Sequence, residues 1–379
     1  MNFDRTEEQQ LLTDSVRRFV GKDYDFGTRR KIVASDDGYS ADVWATLARI
    51  GLLGLPFSLE YGGFGGGAVD LMSVMEVFGD ALVVEPYLAT VGLGAQFIAR
   101  GGTTAQKEQI LPAVIEGKLR MAFAQTESGA RYDLAHVAVT AKKLDGGYVI
   151  DGEKRVVIHG PCADKLVVSA RSAGGGTDRG GISLFLVDAK APGIAMRAYR
   201  TFDELRAADL MFDNVRVNAD SMIGPAGQGL TLIEEVTDYA TALLCAEAVG
   251  AIKYANEATL EYLKTRKQFG VPIGAFQALQ HRMVDMVISC EQAESMASLA
   301  CVSVDSAPTP AERKRVVSAA KIKIADACRH VSQEAIQLHG GMGMSDELKI
   351  SHTFRRLTTI AQQFGDAEHH LERFAQTGT

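Results

Sequence analysis

The feature that most constrains this 379-residue sequence is a change in hydrophobic period that occurs twice along the chain. Up to about residue 117, and again from about residue 226, apolar residues recur at the spacing of amphipathic helices. The segments between them, such as YVIDG, KLVVSAR and ISLFLVDA, are short, rich in β-branched residues and broken by Gly or Asp. This order predicts an α+β protein with an N-terminal helical domain (1–117), a central antiparallel β-domain (118–225) and a C-terminal four-helix bundle (226–379).

Local signals place several elements in the first half of the chain. Thr6 and Gln9 have the spacing of a capping box, so a helix should begin directly after Thr6. Further helices are expected over residues 42–53 and 70–84. The Gly-rich stretch GLPFSLEYGGFGGG lies between them. It could cradle a phosphate, but it has no recognised phosphate-binding pattern, so a flexible interhelical connection is favoured.

The second half carries equally clear signals. Asp145-Gly146-Gly147 predicts a tight hairpin between two strands. Long helices are expected from about residue 229 to 266 and over 276–304. Thr309 and Pro310 predict the start of a third long helix, which should end at His339 because Gly340 is a natural stop.

Composition excludes several classes of protein. The chain is 46% hydrophobic and 23% charged with a net charge of -7, which argues against a generally basic nucleic-acid surface. Its five cysteines form no CxxC pair, which is typical of buried thiols in a reducing compartment. The acidic, polar start MNFDRTEEQQ does not resemble a signal peptide, and no apolar run approaches the roughly 18 residues of a membrane span. We therefore expect a cytoplasmic protein with no nucleic-acid or membrane partner.

Two stretches suggest nucleotide chemistry. In TRKQFGVPIGAFQALQHR, Arg266 can pair with a phosphate, Phe269 can stack on a flat ring, and Gln277 can bond a ribose or phosphate oxygen. In QLHGGMGM, Gly340 and Gly341 allow a ligand to approach the backbone closely. Each stretch alone is more simply explained as a surface Arg or a helix C-cap. Their occurrence together, in this order and after a helix–strand–helix layout, is specific.

Four stretches together resemble the acyl-CoA dehydrogenase family over essentially the whole chain: AQTESGA (124–130), DGEKRVVIHG (151–160), RKQFGVPIGAFQ (266–277) and QLHGGMGM (337–344). The resemblance implies the acyl-CoA dehydrogenase fold, an FAD cofactor and an acyl-CoA substrate. It further implies that a glutamate removes the α-proton, that flavin N5 accepts the β-hydride, and that an electron-transferring flavoprotein reoxidises the cofactor. Members assemble as dimers or tetramers.

Carried over position by position, the resemblance also implies site residues. Those expected to contact FAD are Phe123, Gln125, Thr126, Val156, Ile158, Arg266, Gln268, Phe269, Ile273, Phe276, Gln277, Gln337, Gly340 and Gly341. Those expected to contact the substrate are Tyr132, Thr241 and Phe364. Six of these residues reach, in the family, across a dimer interface to the ADP half of the neighbouring subunit's FAD: Arg266, Phe269, Gln277, Gln337, Gly340 and Gly341. The positions that are altered here belong to the flavin half that each subunit holds itself.

The flavin half departs from the family pattern. A Trp and a Thr usually follow the GEK motif, and here these positions hold Val156 and Ile158. The single tryptophan of the chain is Trp44, far away in sequence, so it does not supply the missing ring from this motif. Tyr132 stands where a small Ser usually meets the substrate.

The acid that serves as base in the family is also missing. Phe364 occupies its usual position, Ala240 occupies the alternative position on the first long C-terminal helix, and Thr241 replaces the Arg that normally follows. Two other acids could serve. Asp366 lies two residues from the usual position, and Glu247 lies two turns beyond Ala240 on roughly the same helix face, although a buried, hydrogen-bonded Glu is the simpler interpretation there.

The histidines in TIAQQFGDAEHH do not predict a metal site, because adjacent His369 and His370 face different directions on a helix and no third ligand has a recognised spacing. Two hypotheses remain for the whole chain. It is either one subunit of a heteromeric acyl-CoA dehydrogenase, completing the FAD site of a sister chain with or without catalysis of its own, or a self-sufficient homo-oligomeric enzyme with an unusual base. The first is favoured because the shared half of the FAD site is intact while the home half is altered.

Overall fold

The structure is a computed structural model that describes residues 6–377. Its α-helices are α1 (Glu7–Asp23), α2 (Phe26–Ala34), α3 (Ala41–Arg49), α4 (Ala68–Ala81), α5 (Ala95–Gly101), α6 (Thr104–Ile115), α7 (Gly229–Thr265), α8 (Gln277–Ser306), α9 (Pro310–His339), α10 (Lys349–Gln362) and α11 (Ala367–Gln376). Its strands are β1 (Met121–Ala124), β2 (Thr140–Leu144), β3 (Gly147–Ile158), β4 (Lys165–Arg171), β5 (Ile182–Asp188), β6 (Ile194–Arg200), β7 (Arg206–Asn218), β8 (Met222–Ile223), β9 (Lys267–Gln268) and β10 (Val271–Pro272). No helix within residues 6–377 combines the length and apolar character needed to cross a membrane.

The chain forms two compact units. The helical unit comprises the described residues up to Lys31, Ala68–Val83, and those from Thr241 onward. The sheet unit comprises Ile32–Gly67 and Val84–Ala240.

Helix starts follow the capping signals. At α1, the Thr6 hydroxyl accepts the Gln9 amide at 3.2 Å and the Gln9 side chain accepts the Thr6 amide at 3.0 Å, which confirms the predicted capping box. At α9, Thr309 is the N-cap and Pro310 takes the first helical position. The same helix ends at His339, and Gly340 follows with a φ of 59° that few other residues adopt readily.

The sheet has the strand order β6-β7-β3-β2-β4-β5-β8, and β1 pairs with β4. The predicted hairpin is confirmed: β2 and β3 pair antiparallel with Leu144 opposite Gly147, and Gly146 in the turn has a φ of 83°. The expectation of a wholly antiparallel domain was wrong, because β4 runs parallel to both β1 and β2. Hydrophobic periodicity and turn residues predict the pairing of strands that are neighbours in sequence. The parallel pairs β1–β4 and β2–β4 join strands that are not consecutive.

Two local expectations also need correction. The helix predicted over residues 42–53 ends at Arg49, because Gly51 adopts a φ of 84° and a short 3-10 turn, Leu52–Gly54, follows. The helix predicted over 70–84 is α4, which ends at Ala81. The Gly-rich connection over residues 54–67 is held by hydrogen bonds within its own backbone. Its backbone amides at Phe64, Gly65 and Gly66 donate to carbonyls of the same segment at 2.7–3.1 Å, so they are not free to cradle a phosphate.

Within the helical unit, α4 and α7 cross with their backbones in contact. A Cβ added to Gly79 would lie 1.8 Å from the Glu247 carbonyl oxygen, and one added to Gly250 would lie 1.8 Å from the Glu76 carbonyl oxygen. Each helix therefore needs its glycine because the partner's main chain occupies the space of a side chain. This reciprocal contact sets how closely the two helices approach.

We expect Gly79→Ala and Gly250→Ala each to lower the free energy of unfolding by about 3 kcal/mol or more, since two helices must separate to admit one methyl group. Gly21→Ala is the matched control, because a Cβ there meets no atom within 4 Å. In α1 that change should raise the unfolding free energy by up to about 1 kcal/mol. Urea unfolding followed by circular dichroism measures all three, and equal effects at the three positions would contradict the crossing.

Candidate nucleotide-binding site

A cavity of about 500 Å³ lies in the helical unit, where the end of α7, the β9–β10 hairpin, the start of α8 and the end of α9 meet. Six of its lining residues were expected from the sequence: Arg266, Gln268, Ile273, Gln337, Gly340 and Gly341. The other six were missed: Tyr262, Leu279, Arg282, Leu338, His339 and Met342. Tyr262 was detectable in principle, because it precedes Arg266 by four residues on one helix face.

The β9–β10 hairpin, which contributes Gln268 to the cavity lining, carries an aromatic residue at its turn. Its two-residue turn, Phe269-Gly270, has positive φ at both positions (54° and 83°), as a type I′ turn requires. A Phe in this conformation is a true outlier, and the residue is 92% exposed. Its ring meets Phe276 edge-on at 6.2 Å. Phe269, Phe276 and Gln277 do not line the cavity itself.

The Gly340–Gly341 turn leaves the backbone open on the cavity side. A Cβ added at either glycine would meet no atom within 4 Å, so a large group can approach the main chain there. The preceding His339 stacks on Tyr262 with ring centroids 4.5 Å apart, and its Nδ1–H donates to the Ala335 carbonyl at 2.8 Å. Burial lowers the pKa of His339, which favours the neutral ring with Nε2 as an acceptor.

The charges of the cavity favour an anion. The Arg282 guanidinium bonds the Glu334 carboxylate at 2.5 Å, and this bond raises the pKa of Arg282. By contrast, Arg266 is exposed and pairs with no carboxylate in the described part of the chain. An uncompensated guanidinium and an open backbone turn suit a diphosphate, and the aromatic pair beside them suits the nucleoside joined to it.

The residues expected at the flavin lie in the sheet unit. Phe123 packs on Phe97 with centroids 4.5 Å apart. Gln125 is buried and donates to the Leu134 carbonyl at 2.9 Å, while its Oε1 has no partner among residues 6–377. Thr126 is exposed and Ile158 half-buried, and the Val156 side chain is 48% exposed. The expected flavin wall is therefore largely apolar, with one buried amide oxygen still able to accept a hydrogen bond.

Comparison with known proteins places the chain. Three family models cover it in sequence: "Acyl-CoA dehydrogenase, N-terminal domain" over residues 6–118, "middle domain" over 122–215 and "C-terminal domain" over 227–378. The chain belongs to the acyl-CoA dehydrogenase family. Acyl-CoA dehydrogenases are FAD-dependent oxidoreductases that act on CH–CH bonds, and the enzyme class, cofactor and fold expected from the sequence are thereby confirmed.

Individual relatives agree with this assignment. The chain is 29% identical over 363 residues to the probable acyl-CoA dehydrogenase YngJ of Bacillus subtilis (strain 168), covering 94% of this chain and 93% of YngJ. The FAD complex of PigA superposes with a TM-score of 0.92 at 25% identity, covering 99% and 98%. The ChsE4–ChsE5 complex of Mycobacterium tuberculosis superposes with a TM-score of 0.89 at 25% identity, again covering 99% and 98%.

The acids considered as bases of this acyl-CoA dehydrogenase both have other partners. Glu247 is buried and accepts two bonds from Arg356, at 2.6 Å from Nε and 2.9 Å from Nη2. Asp366 is the N-cap of α11 and accepts the His369 amide at 2.9 Å. Both contacts favour structural roles for these acids.

The positions expected to contact the substrate differ in burial. Thr241 is buried within α7, next to Ala240 at the alternative position of the base, whereas Tyr132 and Phe364 are half-buried. Phe364 also has a φ of 61°, at the connection between α10 and α11. An apolar ring in a strained backbone conformation therefore occupies the position at which the sequence comparison expected the base.

The Phe364 connection is held through its main chain. The fully buried ammonium of Lys321 donates to the carbonyls of Ala361 (3.2 Å) and Gly365 (2.7 Å). His370 donates from Nε2 to the Phe364 carbonyl at 3.0 Å. Burial lowers the pKa of both side chains, to about 2 for His370, where the nearby cations Lys321 and Arg373 add to the effect. His370, the second histidine of TIAQQFGDAEHH, is thus a neutral structural group.

Stability should therefore fall with acidification through His370. Its folded pKa of about 2 lies below its ordinary value of 6.5, so below pH 6.5 the unfolded chain binds a proton that the folded chain does not. Between pH 7 and pH 5 this linkage lowers the free energy of unfolding by about 2 kcal/mol. In urea unfolding of His370→Gln, the free energy of unfolding should decrease between pH 7 and pH 5 by about 2 kcal/mol less than it does in the wild-type chain. The exposed His281→Gln is the control, and an unchanged pH dependence in His370→Gln would refute the linkage.

Proposed function

We propose that this chain is one subunit of a heteromeric acyl-CoA dehydrogenase, which removes hydrogen from the α- and β-carbons of an acyl-CoA thioester. The observation that carries the proposal is a contrast within the chain. The cavity around Arg266 keeps the groups that a nucleotide needs, whereas both usual positions of the base hold apolar side chains and the nearest acids are bound elsewhere.

In this assembly the chain's own residues bind and position the cofactor. Arg266, Gln337 and the Gly340–Gly341 turn would hold the nucleotide end of an FAD whose ring lies in the sister chain, and FAD, when bound, supplies the acceptor for a hydride. A base is still required, because a thioester α-proton is only weakly acidic. In the proposed arrangement the sister chain contributes that carboxylate. The similarity of this chain to the ChsE4–ChsE5 complex supports such a two-chain assembly.

The substrate and acceptor follow from resemblance. SGARYDL (128–134) and FGDAEHH (364–370) are similar to the small subunit of pimeloyl-CoA dehydrogenase. This likeness favours a dicarboxylyl-CoA or a bulky intermediate of ring degradation. An electron-transferring flavoprotein would reoxidise the FAD, and the cytoplasm is the proposed location.

A self-sufficient homo-oligomer with a non-standard base is the second candidate, and a non-catalytic assembly subunit is a third. The buried Gln125 Oε1, which has no partner in the described part of the chain, favours the homo-oligomer, because it could still accept a hydrogen bond from a cofactor in the chain's own sheet unit. The isolated chain separates the homo-oligomer from the two arrangements that need a sister chain.

The visible spectrum of the purified chain should show little flavin absorbance, and acyl-CoA thioesters should cause no bleaching. Addition of a sister acyl-CoA dehydrogenase chain should restore both flavin binding and bleaching. A yellow isolated chain that an acyl-CoA bleaches would support the homo-oligomer instead. If the sister chain alone binds FAD and is bleached by an acyl-CoA as well as the two chains together, this chain has no role in the reaction.

Arg266→Ala should weaken ADP binding by about tenfold or more, since a charge-assisted hydrogen bond contributes roughly 1.5–3 kcal/mol. Titration calorimetry with ADP isolates the nucleotide end from the flavin. Lys264→Ala is the matched control, because it removes one positive charge from the same helix end without touching the cavity. Equal losses in the two variants would indicate only a general electrostatic effect.

A further inference from the structure

Strand β3 contains a strained bulge at one of the expected flavin contacts. Its pairing with β7 shifts register between Lys154 and Val157, and Val156 within the shift has a φ of 51°. A β-branched residue in this region of backbone conformation is a genuine outlier. Such a conformation persists only where the surroundings enforce it, and it concentrates at functional sites.

The enforcing group is the Asp209 carboxylate on β7. Its Oδ1 accepts the Val156 amide at 3.1 Å and the Tyr199 hydroxyl at 2.9 Å. Its Oδ2 accepts Arg155 Nη1 at 2.9 Å and Arg197 Nη2 at 2.7 Å. Four donors thus converge on one carboxylate that is 13% exposed, and one of them is the amide that the bulge removes from the sheet ladder.

The bulge is also tied to the other expected flavin segment. The Arg155 amide donates to the Thr126 carbonyl at 2.7 Å. One residue earlier, the buried Lys154 ammonium donates to the Gln125 carbonyl at 3.1 Å and to the Glu127 carboxylate at 2.6 Å. Residues 125–127 and 154–156 are therefore linked by hydrogen bonds, and Asp209 restrains the second segment at Val156.

We propose that Asp209 is a positioning residue, which holds the β3 bulge so that Val156 and Ile158 form a rigid apolar wall for the planar ring of a flavin. The inference rests on the proposed function in taking the ligand to be a flavin. It adds that this chain's own flavin wall has changed in chemistry but keeps a preorganised backbone, so that it retains weak affinity for the ring by itself. The wall contacts the ring by van der Waals packing, because neither side chain carries a donor.

Hydrogen exchange tests the positioning. In the full chain, Asp209→Ala should increase amide exchange in peptides covering residues 153–159 and 124–128. Asp209→Asn keeps an oxygen for the Val156 amide and should show a smaller increase. Asp188→Ala is the control: this carboxylate, at the end of β5, also accepts a backbone amide and a lysine. It should affect only its own surroundings. Unchanged exchange in both peptides of Asp209→Ala would overturn the proposal.

Riboflavin, which has the ring but no nucleotide, tests the function of the wall, and ADP tests the cavity separately. Asp209→Ala should weaken riboflavin binding at least fivefold, and it should blur the resolved shoulders of the bound flavin's visible band. ADP affinity should stay within twofold, and Asp209→Asn should recover part of the riboflavin affinity. Riboflavin binding to the isolated chain is followed by quenching of riboflavin fluorescence, and ADP binding by calorimetry.

The outcomes are distinguishable. A wild-type chain that binds ADP but not riboflavin, or an Asp209→Ala chain with unchanged riboflavin affinity and spectrum, would overturn the inference while the nucleotide site stands. A wild-type chain that binds riboflavin but not ADP would contradict the nucleotide site of the proposed function while supporting the flavin wall.

Discussion

The helical unit depends on one contact, the crossing of α4 and α7 at Gly79 and Gly250. Because each backbone fills the space of a side chain on the other helix, the Glu76 and Glu247 segments are drawn into the interior. Buried carboxylates require paired, hydrogen-bonded partners. Lys253 and Arg356 provide them, at 3.3 Å and 2.6 Å. Arg356 belongs to α10, so the close crossing also determines where the helix leading to the Phe364 connection is anchored.

Buried lysines organise both units by similar physics. In the sheet unit, Lys154 has a carboxylate, a hydroxyl and a carbonyl as acceptors, and burial lowers its pKa to about 8 despite the charge of Glu127. In the helical unit, two of the Lys321 acceptors are backbone carbonyls at the C-terminal end of α10, where the helix dipole favours a positive charge. In each case the cation fixes main-chain atoms that side-chain packing alone would leave free to shift.

Local chemistry accounts for what the sequence could predict. The capping box at Thr6, the turn at Gly146 and the stop at Gly340 each depend on a few adjacent residues, and their structures match the expectation. The parallel pairing of β4 and the bulge at Val156 depend on distant strands. No glycine marks the bulge, because Asp209, more than fifty residues later, supplies the restraint. For the candidate site, motif resemblance indicated half of the cavity lining, whereas Arg282 joins it only because α8 packs against α9, where Arg282 bonds Glu334.

The way Lys321 and His370 hold the Phe364 connection has an evolutionary consequence. Their acceptors, at Ala361, Phe364 and Gly365, are carbonyl oxygens, a group that every amino acid possesses. The path of the chain is therefore insulated from the identity of the side chain at position 364. A lineage could exchange an acid for an aromatic ring there, or reverse the exchange, without having to reinvent the surrounding architecture. Duplicated genes could in this way divide labour between two polypeptides while both kept the same fold.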